Sequence, residues 1–116
     1  MDRKKALKEQ YKQMKPEMGL FMVRSNNSNK CYLESTGDLK GTINGTRFKL
    51  GGGIHPNREL QKCWKDYGAE NFTIEILEVL EYDEDASKTD YSEDLALLRM
   101  VWEEKMLTQN MEFYRK

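Results

Sequence analysis

Cysteine, proline and histidine are scarce in this chain of 116 residues, which has two Cys, two Pro and one His. Cys31 and Cys63 are too few for a disulfide framework or a cysteine-based zinc site. No apolar run approaches the ~20 residues needed to cross a bilayer. Met1-Asp2-Arg3-Lys4-Lys5 lacks the apolar stretch of a secretory signal. A reducing cytoplasm is the compartment these absences lead us to expect. Charge of one sign is missing only in the total. The formal net charge is −1, yet residues 1–65 hold 14 Lys/Arg against 6 Asp/Glu and residues 66–116 hold 5 against 14. Kept apart in space, the basic half meets phosphates and the acidic half repels long duplex DNA; interleaved, the two cancel.

What is present is one domain's length of chain, with 34% charged residues and room for a modest core. Residues 2–14 carry Ala6, Leu7, Tyr11 and Met14 at helical spacing, and Lys15-Pro16 ends that run. The stretch "EMGLFMVRSNNSNKCYLES" reads as a hairpin, with strands at about 18–24 and 30–35 around a turn of Ser and Asn. Asp38 caps a helix through Leu39, Ile43, Arg47 and Leu50, weakened by Gly41 and Gly45, and Gly51-Gly52-Gly53 is expected to break it. A second helix runs from Pro56 or Asn57 to Tyr67, with Leu60, Cys63, Trp64 and Tyr67 on one face, and Gly68 stops it. Phe72, Ile74, Ile76 and Val79 mark a third strand, followed by an acidic loop over 83–90. A last helix from about Ser92 carries Leu95, Leu98, Trp102 and Met106 inward. The order ββααβα predicts an α+β domain with a small, mainly antiparallel, three-stranded sheet flanked by helices. Residues 1–16 are read as a charged helix, 17–107 as the domain and 108–116 as a tail.

Over about residues 18–106 the chain resembles the GIY-YIG nuclease family. The likeness rests on Gly19-Leu20-Phe21, a short turn, Tyr32-Leu33-Glu34, then "DLKGTINGTRFKL", "HPNRELQKCWKDYGAENFTIEIL" and a closing helix with Trp102. The resemblance implies a metal-dependent DNA endonuclease fold with a three-stranded sheet. Its site would hold two tyrosines, an arginine and a metal-binding glutamate, often with a histidine. A phenol helps activate water, the arginine neutralises a phosphate, and the glutamate holds Mg²⁺ or Mn²⁺ near the leaving oxygens.

Carried over position by position, most of that apparatus is replaced. The first tyrosine falls on Phe21, the second is kept as Tyr32, and the glycine after it becomes Glu34. The arginine falls on Thr42, a histidine one turn later on Thr46, and His55 matches a histidine of some members. The metal-binding glutamate falls on Arg99, a permanent cation that repels a divalent metal. Each lost acid–base or electrostatic group costs about 10²–10⁴ in rate.

Several residues carry two readings. Tyr32 is a surviving site residue or a strand tyrosine at the core's edge. His55 is a proton carrier or phosphate donor, or else a loop residue at a helix entry. Trp64 and Trp102 read as core anchors and the two cysteines as buried thiols. Arg99 borders the inward stripe and needs an anion, either Glu34 in an ion pair or a ligand phosphate. Arg47 and Arg58 are the other candidates for an anionic ligand. The lysines before residue 16 are a solvated face or a nucleic-acid arm. Met106, Leu107, Met111, Phe113 and Tyr114 pack back on the domain or pair with a second copy. The expected function is an impaired nuclease-like domain that binds nucleic acid or a nucleotide-like anion and needs no cofactor. The rivals are an active Mg²⁺- or Mn²⁺-dependent endonuclease with relocated groups and a homodimeric interaction module.

Overall fold

A computed structural model describes residues 15–115; the helix expected over residues 2–14 lies outside them. β1 (Met18–Ser25) alternates Leu20 and Met22 on one side with Phe21 and Val23 on the other. Both sides are buried, because β1 is an inner strand with helices against each face. It pairs antiparallel with β2 (Lys30–Thr36), setting Val23 opposite Tyr32 and Phe21 opposite Glu34. The turn between them is held by Ser25 Oγ, which accepts from the Asn27 amide at 3.2 Å. β1 also pairs antiparallel with β3 (Phe72–Leu80), with a bulge between Leu20 and Phe21.

α1 (Leu39–Gly52) begins at Asp38, whose side chain accepts from the Gly41 amide at 3.1 Å. The glycine tract does not break it as expected. Gly51 and Gly52 complete the last turn, and only Gly53 leaves the helix, at φ 76°. Buried Leu50 and the bond from the Ile54 amide to the Lys49 carbonyl at 2.9 Å hold that turn against glycine's low propensity. α2 (Arg58–Tyr67) starts from Asn57, whose Oδ1 accepts from the Leu60 amide at 3.0 Å, and ends at Gly68 with φ 87°. Leu60 is buried, while Tyr67 is exposed and not on the packed face. A 3-10 turn (Ala69–Asn71) leads into β3.

α3 (Ser92–Thr108) packs Leu98 and Met106 against the side of the sheet that carries Leu20, Met22 and Leu33. α1 and α2 cover the other side, where Phe21, Val23, Leu39, Leu50, Leu60 and Phe72 form a second cluster. Trp64 stacks on Phe72 with ring centroids 5.0 Å apart, and Trp102 packs beside Leu98, so each indole anchors one layer. Cys31 is buried and its thiol is pushed up to about 11 by that burial, while Cys63 is half-buried.

The three-stranded sheet expected from the sequence is incorrect. After α3 the chain forms β4 (Glu112–Phe113), which pairs parallel to β2 and makes a four-stranded mixed sheet in the order β3-β1-β2-β4. The Glu112 amide donates to the Asn29 carbonyl at 2.9 Å and the Tyr114 amide to the Cys31 carbonyl at 3.0 Å. Tyr114 enters the core and Met111 and Phe113 are half-buried, so most of the expected apolar tail packs back on the domain.

Candidate functional site

Tyr32 and Glu34 lie two residues apart on β2 and so point to the same side of the sheet. The Tyr32 hydroxyl donates to Glu34 Oε1 at 2.5 Å. Burial first, then this bond and the carboxylate's charge, push the Tyr32 phenol well above its ordinary value of 10, against a smaller lowering pull from Arg99. His55, in the loop between α1 and α2, meets the Tyr32 ring edge-on with centroids 5.2 Å apart.

The buried imidazole is fixed from its own loop. Its Nδ1 accepts from the Asn57 amide at 3.0 Å, which leaves the proton of the neutral ring on Nε2. The His55 amide donates to Gln61 Oε1 at 2.9 Å, and Gln61 Nε2 donates to the Leu50 carbonyl at 2.9 Å. Asn57 Nδ2 in turn donates to the Tyr114 carbonyl at 3.3 Å. Burial lowers the His55 pKa, partly opposed by the charge of Glu34. These supporting roles of Asn57 and Gln61 went unread in the sequence, although an Asn directly before a helix is a signal for the first.

Glu34 and His55 line an open groove of about 580 Å³ together with Asp38, Thr42, Thr46 and Lys49 of the α1 side. Thr42 Oγ1 is 2.6 Å from Thr36 Oγ1 on β2, hydroxyl to hydroxyl. Thr46 is buried, and Phe21 on β1 is wholly buried, with no polar side-chain atom to offer. Lys49 is the cation among the lining residues.

Arg99 is placed otherwise than the sequence led us to expect. Its side chain is half exposed at the edge of β2, and its Nε donates to Glu103 Oε1 at 2.8 Å, one helical turn on. The expected Glu34–Arg99 ion pair is not formed; each group has a nearer partner on its own element. Arg99, Glu103 and Tyr32 instead share a smaller cavity of about 150 Å³ on the far side of the tyrosine. Arg47 is exposed and sits about 140° round α1 from Thr42 at ~100° per residue. Arg58 opens α2, also exposed. The structure thus joins Tyr32, Glu34 and His55, sets Arg99 beside them, and leaves Arg47 and Arg58 outside the groove. Among the described residues, no group of three or more His, Cys, Asp or Glu is arranged to hold a metal ion.

No protein-family model matches the chain, and no curated protein matches it. Solved structures do. The catalytic domain of homing endonuclease I-TevI superposes with a TM-score of 0.65 at 20% identity, over 85% of this chain and 99% of that one. A single-site mutant of the catalytic domain of intron endonuclease I-TevI gives a TM-score of 0.63 at 20% identity, over 78% of this chain and 84% of that one. The fold is therefore broadly that of a GIY-YIG nuclease catalytic domain, with four strands in its sheet.

Proposed function

We propose that this chain is a GIY-YIG-derived domain that no longer cleaves nucleic acid but binds it, or a nucleotide-like anion, on the face around Tyr32 and His55. The observation that carries the reading is the Tyr32–Glu34 hydrogen bond. A tyrosine that takes a proton from water must first be a phenolate, and here burial and the bond to the Glu34 carboxylate both disfavour that form. Thr42 and Arg99 stand where the resemblance would put the phosphate-neutralising arginine and the metal-binding glutamate. Lys49, the Thr42 hydroxyl and His55 Nε2 supply donors for an anionic ligand in the groove, and Arg47 and Arg58 are exposed outside it.

Fluorescence anisotropy with labelled single-stranded DNA, RNA and nucleotides at two salt concentrations tests the binding half. Affinity should fall with salt and with Lys49→Ala. No binding at low salt would favour the interaction-module reading. Incubation of plasmid and branched DNA with Mg²⁺ or Mn²⁺ tests the catalytic half and should give no cleavage above background. Cleavage abolished by Tyr32→Phe or His55→Ala would favour an active enzyme with relocated groups.

A further inference from the structure

Phosphate oxygens accept hydrogen bonds and do not donate them, so a groove for a nucleic-acid backbone needs donors on its walls. The groove beside His55 has them along part of its length. Lys49 lines it, and so does His55, 6% exposed, whose Nε2 has no hydrogen bond among the described residues. Glu34 lines the same groove and is the exception. The Tyr32 hydroxyl donates to its Oε1 and orients the carboxylate, while Oε2 has no bond among the described residues. Neither Glu34 nor Lys49 is in an ion pair there, although both face one groove. A carboxylate beside a phosphate repels it unless the ligand also brings an O–H or N–H to the carboxylate.

Bases carry N–H donors, but a strand's bases are held where aromatic faces stack on them. This lining has no such face. Glu34, Asp38, Thr42, Thr46 and Lys49 are polar, and the buried His55 ring turns toward Tyr32. At about 580 Å³ the groove admits one sugar–phosphate backbone rather than a duplex. Inside a DNA strand that backbone has acceptors only. Inside an RNA strand each sugar adds a 2′-hydroxyl, which donates as well as accepts.

Resting on the reading of this face as a nucleic-acid site, we propose that the groove selects single-stranded RNA over DNA. The Glu34 carboxylate accepts from a ribose 2′-hydroxyl, while Lys49 and His55 Nε2 meet the adjacent phosphate.

Fluorescence anisotropy at low salt with labelled oligouridine and its 2′-deoxy and 2′-fluoro analogues of equal length tests this. The ribose strand should bind about tenfold or more tightly than either analogue, the worth of one charge-assisted hydrogen bond. The 2′-fluoro strand keeps the ribose pucker without the donor, so it separates the hydrogen bond from backbone shape. Glu34→Ala should draw the three affinities together, weakening RNA and strengthening DNA, with an unchanged circular dichroism spectrum. Lys49→Ala should weaken all three alike. Equal binding of RNA and DNA by the unaltered protein overturns the selectivity and leaves the nucleic-acid reading standing. A 2′-fluoro strand that binds as tightly as RNA overturns the hydroxyl contact. So does a preference for RNA that survives Glu34→Ala. No binding of any strand overturns the nucleic-acid reading itself, and the selectivity with it.

Discussion

His55 is the chain's one histidine, so its ring resonances report on the site without ambiguity. Burial holds its pKa below the ordinary 6.5. The unfolded chain therefore binds the extra proton first, and the stability His55 contributes is present above pH 6.5 and lost as pH falls below it. An NMR titration should give a folded value under 6.5, and Glu34→Gln should lower it further by removing the opposing charge. A value at or above 6.5 would contradict this account of the loop. Tyr32 has the opposite sense. Its raised pKa stabilises the fold below pH 10 and loses that contribution above it, and Glu34→Gln should bring the phenol down in an ultraviolet titration. The shared direction of Tyr32 and Glu34 was legible from their spacing on one strand. The partner of Arg99 was legible too, since Glu103 follows at i+4. Weighing an inward carboxylate against a ligand hid it, because the register of a sequence does not say how far a helix edge stands from water.

The two helix entries beside the groove have the same cap chemistry in different surroundings. Asp38 is exposed and satisfies one amide, so Asp38→Ala should cost about 1 kcal/mol in a denaturant midpoint. Asn57 is buried and also donates to the Tyr114 carbonyl, so Asn57→Ala should cost about 2 kcal/mol or more. Equal losses would mean that the Tyr114 bond is worth nothing. Gly19 belongs with these local devices, for a Cβ there would overlap the Glu78 carbonyl oxygen across the bulged pair. Gly19→Ala should therefore destabilise by roughly 1–3 kcal/mol as β1 and β3 are forced apart. The hairpin, the Asp38 start and the Gly68 stop were readable from sequence because turn and cap residues act locally. The true end of α1 was not, since Leu50's burial holds Gly51 and Gly52 in the helix and only Gly53 leaves it.

On the scale of the whole molecule, the order of strands and helices through α3 could be read from the apolar pattern, but β4 could not. Two residues carry no period, and their parallel partner lies some eighty positions earlier in the chain. That short strand has a consequence for how long the site stays intact between fluctuations. Two backbone bonds tie it to Asn29 and Cys31, and Tyr114 reaches on to Asn57, whose own amide orients His55. Segments held by few bonds open far more often than the molecule unfolds. Each opening of residues 112–114 frees the Asn57 side-chain amide from the Tyr114 carbonyl, while its cap bond to Leu60 and its backbone bond to His55 stay local to the α2 entry. Hydrogen exchange should therefore show the Tyr114 amide opening at a lower free energy than the Phe21 and Val23 amides in β1. Equal protection of the three would mean that the short strand opens only with the whole molecule. The smallest strand is thus a frequent, shallow breach in the wall behind Asn57, one that leaves the imidazole's tautomer in place.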